Sequence, residues 1–184
     1  LSRACLDLWR ELSEKAQCGE DFSEDRDTVF SMTSDPEIVK YMRFDTHEKP
    51  EEADELIRHY AEGGNYGFLI RIADSGEPVG VAALKQDEEN CGEYSVSLFS
   101  FQRFWNQGYN TAAVELLKTF AQEQGIRSLN AYVVEENHGS RKVMEKCGFQ
   151  IQEILHFDDF PSGLYIYALP MESSVVPNIE RIIP

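Results

Sequence analysis

Positive charge is scarce in this 184-residue chain: 17 Lys and Arg stand against 33 Asp and Glu, a net charge of −16. A surface so acidic repels phosphate backbones, so no nucleic-acid partner is expected. Cysteine and histidine are sparse as well, with four of each. Cys5, Cys18, Cys91 and Cys147 are widely spaced, with no Cys-x-x-Cys pair and no interleaved histidine ligands. They read as free thiols, and no metal site is expected. His47, His59, His138 and His156 form no ligand pattern either. No run approaches the ~18 apolar residues of a membrane span, and no basic start leads into an apolar core as in a secretory signal. The expectation is therefore no membrane partner, a cytoplasmic location by default, and a monomer or homodimer.

What is present suffices for one domain with a sizeable core, expected over residues 1–172, with 173–184 as a peripheral tail. The charge is unevenly spread. Residues 1–93 carry 23 acids and 10 bases, whereas residues 101–150 carry 5 acids and 6 bases. The second segment is thus where an anionic ligand would meet no repulsion. The acidic half would attract a cationic substrate, or is simply a solvated surface.

Residues 4–12 alternate apolar and polar positions and suit a first strand, with a helix as the alternative. Residues 13–27 read as a polar loop or irregular helix. Residues 28–42 have helical spacing, broken near Asp35-Pro36, and residues 50–60 form a further helix with acids in its first turn. The period then switches to two: residues 66–72, 78–84 and 93–101 read as an antiparallel meander. A helix at 110–124 presents Ala113, Leu116, Leu117, Phe120 and Ala121 on one face and ends at Gly125. A strand at 128–134, a short helix at 137–147 and strands at 149–156 and 164–171 complete the order. The predicted class is α+β, with a single mixed, mostly antiparallel central sheet flanked by helices.

Two segments carry the chemistry. Residues 103–111 (RFWNQGYNT) lead straight into the helix at 110–124 and read as a turn that delivers backbone N–H groups to a helix N-terminus. That is an anion site; the plainer alternative is a helix-entry turn with Asn110 as N-cap. About one helix and one strand later comes ENHGSRKVMEKCGF at 136–149, in which Asn137 stands where a short helix should begin.

In this order the segments resemble the GNAT superfamily of acyl-CoA N-acyltransferases, particularly its RimJ/RimL-like branch. The early helical stretch 33–42 (TSDPEIVKYM) is similar to that branch too. The resemblance implies a splayed pair of neighbouring strands, here 93–101 and 128–134, with the pantetheine arm of acetyl-CoA threaded between them. It places Trp105, Asn106, Gln107, Gly108, Tyr109, Asn110 and Thr111 around the cofactor phosphates, with Gly108 matching outright and Asn106 and Asn110 replacing smaller residues. It places Asn137 and Ser140 beside the pantetheine arm, and the backbone around Leu98, Phe99 and Ser100 as oxyanion donors. Glu93 would be the catalytic base, two residues upstream of the family position, which Ser95 occupies. A base acting through water, Glu135 and Glu136 are alternatives. Met144 stands where many members carry a tyrosine acid, which points to Ser140 at the leaving thiolate. Arg141, Lys142 and Lys146 either approach the phosphates or form a solvated face.

The implied function is N-acetyltransfer from acetyl-CoA to a primary amine, a protein N-terminus or a small cationic amine, by direct attack in a ternary complex. A non-catalytic acyl-CoA-binding or sensing module is the alternative, and a scaffold that no longer binds coenzyme A is a third.

Overall fold

Period-two alternation in the middle of the chain builds a sheet, and helical-period segments before and after it supply a layer on each face. The structure, a computed structural model, describes residues 6–9, 23–157 and 160–171. The strands are β1 (Leu6–Trp9), β2 (Tyr66–Ile72), β3 (Pro78–Gln86), β4 (Glu93–Ser100), β5 (Ser128–Val134), β6 (Gln150–Phe157) and β7 (Phe160–Pro170). The helices are α1 (Ser23–Thr33), α2 (Pro36–Val39), α3 (Pro50–Ala61), α4 (Tyr109–Glu123) and α5 (His138–Lys146). One sheet holds the seven strands in the order β1-β2-β3-β4-β5-β7-β6. Every neighbouring pair is antiparallel except β4 and β5. The expected α+β class and mixed sheet are therefore observed.

The central strands are apolar on both sides because both sides are covered. Phe68, Leu84, Leu117, Phe120, Leu129 and Tyr167 belong to a core between the sheet and α4 and α5. Val29, Met32, Ile57, Leu69, Val81 and Phe99 belong to a second core between the sheet and α1 to α3. Asp25 ties α1 to β2 through an ion pair with Arg71 at 3.0 Å. Pro50 opens α3, and Glu52 closes its N-terminus by accepting hydrogen bonds from the Glu48 and Lys49 amides.

Several boundaries differ from the expectation. Helix α1 begins at Ser23, within the stretch expected to be irregular. Val29 and Met32 pack against α3, so tertiary burial extends a helix whose first turn is polar. Strand β7 begins four residues before 164 because it pairs with β6 across the hairpin, Phe157 opposite Phe160. The outer parts of the expected first strand, residues 10–22 and the tail 173–184 lie outside the described residues.

Candidate active site

The site begins with a ladder that stops. Strands β4 and β5 are paired only from Glu93 with Ser128 to Ser95 with Asn130. Beyond that rung β4 remains paired to β3 as far as Ser100, and β5 remains paired to β7 as far as Val134. Their facing edges separate, and this is the splayed pair implied by the resemblance.

Which backbone groups face the gap follows from parity. The Asp87 amide donates to the Glu93 carbonyl, and the Phe101 amide donates to the Val79 carbonyl. The register between β3 and β4 has no shift. Odd-numbered residues of β4 therefore bond to β3, and the even-numbered Val96, Leu98 and Ser100 turn their backbone groups towards β5. The Ser100 carbonyl is taken by Trp105 Nε1 at 3.0 Å. Leu98 and Val96 line the cavity in the gap, whereas Phe99 lies in the buried core against α1 to α3. Leu98 is the expected oxyanion donor that the geometry places at the cavity.

The turn before α4 is left-handed at two positions, Asn106 with φ 58° and Gly108 with φ 91°. Gly108, not Asn110, is the residue before the helix, and no side chain caps the first turn of α4. Its N–H groups at Tyr109, Asn110 and Thr111 point out of a helix start and suit an anion. A Cβ on Gly108 would meet nothing within 4 Å, so the space in front of the turn is open. Gln107 folds back on the Arg103 carbonyl and braces the turn.

At the far wall Asn137 begins α5, its Oδ1 accepting from the Ser140 amide at 3.0 Å. Its amide group has no hydrogen bond to another described residue and remains available for a ligand. Asn137, Ser140 and Met144 all line the cavity. Capping and cofactor contact are thus compatible in one residue.

The cavity, about 240 Å³, passes from α5 through the gap to the underside of α3, where Leu56, His59, Tyr60, Arg43 and Lys85 complete it. Tyr60 OH and Ser97 Oγ lie 2.9 Å apart across this end. Burial pushes the Tyr60 phenol up, although the Ser97 hydroxyl works the other way, so it stays protonated. Burial pushes the His59 imidazole down, the Lys85 ammonium adds to this, and Glu62 opposes both. His59 is therefore neutral and able to accept a proton at neutral pH. Outwards the cavity meets a groove of about 920 Å³ with Glu62, Asp87, Glu88 and Glu89 in its wall.

The structure does not bring every expected residue to this cavity. The carboxylate of Glu93 accepts from Asn130 Nδ2 at 3.2 Å and lies below the last paired rung, outside the lining. Ser95, at the family position, does line it. Glu135 accepts from the Gly163 amide at 3.3 Å, and Glu136 is exposed. Arg141 stacks 4.0 Å from the centre of the Tyr165 ring and donates to Tyr167 OH at 3.4 Å. Cys147 is buried and its thiol is pushed up to about 12, chiefly by burial, so it is no acyl acceptor. Among the described residues no group of His, Cys, Asp and Glu is placed to hold a metal.

Sequence reading missed Arg43, His59, Tyr60 and Lys85, which lie on α3, on the segment before it and on β3. Lys85 alone left a trace, as the single charge ending the apolar run of β3.

Residues 21–150 match the acetyltransferase (GNAT) domain family. The chain is 26% identical over 159 residues to the uncharacterised N-acetyltransferase p20 of Bacillus licheniformis, covering 79% of this chain and 87% of that protein. A GNAT-family acetyltransferase of Bacillus anthracis superposes with a TM-score of 0.72 at 21% identity, covering 91% of this chain and 96% of that one. The spermidine N-acetyltransferase of Vibrio cholerae, solved with CoA and spermine, superposes with a TM-score of 0.74 at 13% identity, covering 90% and 95%. The two superpositions speak for the fold alone. With its central sheet split beside an uncapped helix start and most of its length matched to that domain, the chain belongs to the GNAT acetyltransferase family.

Proposed function

We propose that the protein transfers an acetyl group from acetyl-CoA to a primary amine by direct attack in a ternary complex, in the manner of the RimJ/RimL-like branch. The observation that carries this is the interrupted β4–β5 ladder, whose cavity joins the α5 side of the sheet to the α3 side. In this reading the pyrophosphate of acetyl-CoA lies against the first turn of α4, from Trp105 to Thr111. The pantetheine amides meet Asn137. The thioester oxygen faces the Leu98 N–H, which stabilises the negative charge developing there.

The amine approaches from the α3 side. Its nitrogen forms a bond to the thioester carbon, the C–S bond breaks, and one proton leaves the nitrogen. Ser140 donates a hydrogen bond to the departing thiolate, as Met144 supplies no acid. Glu93 takes the amine proton through intervening water, since its carboxylate lies below the cavity wall. His59 is a second candidate for the same step, favoured by its place in the wall and its neutral imidazole.

A non-catalytic acyl-CoA-binding module is the other reading, favoured by Met144 and by Glu93 lying outside the lining. Calorimetric titration with acetyl-CoA, with CoA and ATP as controls, followed by free-thiol release in the presence of amines, separates the two. Micromolar binding with thiol release supports transfer, whereas binding without release for any amine supports the module. If Glu93→Gln and His59→Gln both leave the rate unchanged across pH 6–9, neither residue is the base.

A further inference from the structure

The acceptor end of the cavity is cationic in a chain that is otherwise strongly anionic. Its lining holds Arg43 and Lys85, beside the neutral His59, and no carboxylate. Lys85, the last residue but one of β3, lies directly opposite Ser95, and Ser95 is opposite Asn130, so Lys85 comes from the β3 side of the last closed rung. Arg43 comes from the other side, its guanidinium 5.1 Å from the ring centre of Tyr132 on β5. The two cations thus flank the closed end of the gap.

Neither has a carboxylate partner among the described residues. Arg43 is exposed and lies over the Tyr132 ring, a contact that leaves its N–H donors able to meet an anion. Burial pushes the Lys85 ammonium down, and the charge of Arg43 pushes it further. Glu62, Asp87, Glu88 and Glu89 line the adjoining outer groove, whose wall Arg43, His59 and Lys85 share, but none of them forms an ion pair with either cation, and Asp87 Oδ1 accepts from the Glu89 and Asn90 amides within its own turn. The pair does not serve the cofactor phosphates by position, because no residue of the turn at 105–111 lines this cavity.

Two unpaired cations repel an acceptor that is cationic throughout its length, such as a polyamine. A carboxylate would neutralise them and receive charge-assisted hydrogen bonds from both. The outer carboxylates are compatible with the ammonium of the same molecule on its way in.

We infer that Arg43 and Lys85 form a carboxylate subsite, and that the acceptor is a small primary amine carrying a carboxylate, an amino-acid-like zwitterion. The amine half of this statement rests on the transferase reading; the carboxylate subsite stands on the cavity alone.

The test pairs glycine, β-alanine and γ-aminobutyrate with their carboxamides, and adds spermidine. Thiol release is measured with saturating acetyl-CoA for the parent and for Lys85→Gln, Arg43→Gln and Lys85→Arg. At least one carboxylate should exceed its amide in kcat/KM by about tenfold or more, the scale of a charge-assisted hydrogen bond. That ratio should fall about tenfold in either glutamine variant and recover in Lys85→Arg. Equal use of acid and amide, preference for spermidine, or a ratio unchanged in both glutamine variants would overturn the inference. If no amine is acetylated, calorimetry of the same acid–amide pairs with the CoA-saturated protein decides. Acids that bind, and lose binding in Lys85→Gln, keep the subsite and sink the transferase reading. Acids that bind no better than amides sink the subsite.

Discussion

Asn137 is asked to perform two tasks, and substitutions can separate them. Its Oδ1 accepts the Ser140 amide at the start of the nine-residue helix α5, and the residue lines the cavity with its amide N–H groups free of described partners. Asn137→Ala removes both. Loss of the cap costs about 1 kcal/mol, and for a domain of this size that lowers Tm by about 2–4 °C. Loss of one neutral hydrogen bond to the pantetheine arm costs about 0.5–1.5 kcal/mol, a rise of about 2- to 12-fold in Kd for acetyl-CoA. Asn137→Asp keeps an acceptor for the Ser140 amide and places a negative charge at a helix start, where the dipole favours it. It retains no N–H donor. Tm should therefore stay at the parent value or rise, while the Kd measured by calorimetry rises as it does for alanine. An aspartate variant that binds acetyl-CoA as tightly as the parent would reduce Asn137 to a cap and remove the placement of the pantetheine arm.

Two further outcomes are expected. Gly108→Ala meets no steric contact, so its cost is the left-handed backbone at φ 91°, about 1–2 kcal/mol; scanning calorimetry should show a Tm lower by about 2–8 °C, and acetyl-CoA affinity should fall as the turn relaxes. Asn106→Gly, at φ 58°, is the control and should lose no stability beyond about 1 kcal/mol, the ordinary glycine penalty. Burial holds His47 below the ordinary imidazole value against the pull of Glu52 and Glu55, and His59 is also held low. The unfolded chain therefore takes up protons first, so their contribution is present above about pH 6.5 and is lost as pH falls through the folded values. Tm should drop from pH 7 to 5.5 and drop less in His47→Gln; an unchanged slope would show that His47 is as accessible to protons folded as unfolded. Glu52, held low by the Lys49 and Glu48 amides, adds its own loss only below 4.5.

The parts legible in the sequence are those whose signal is local. Strands at 66–72 and 128–134 appear with the expected bounds because alternation, turn residues and burial all agree there. Residues 103–111 announced a turn into a helix start, and Asn137 announced the start of another. Where a boundary depended on a distant partner, the sequence was silent: α1 begins early because α3 covers it, and β7 begins early because β6 pairs with it.

The acceptor side shows the same division more sharply. The order of elements and the two motifs determined the α+β class, the family resemblance and the turn that faces an anion. Only the tertiary structure decided that β4 and β5 part after Ser95, and that Arg43, His59, Tyr60 and Lys85 meet below the opening. Those four residues lie on three separate segments with no spacing rule among them. Their proximity is a consequence of packing α3 against the sheet, and a periodicity read along one chain carries no term for contacts between distant segments.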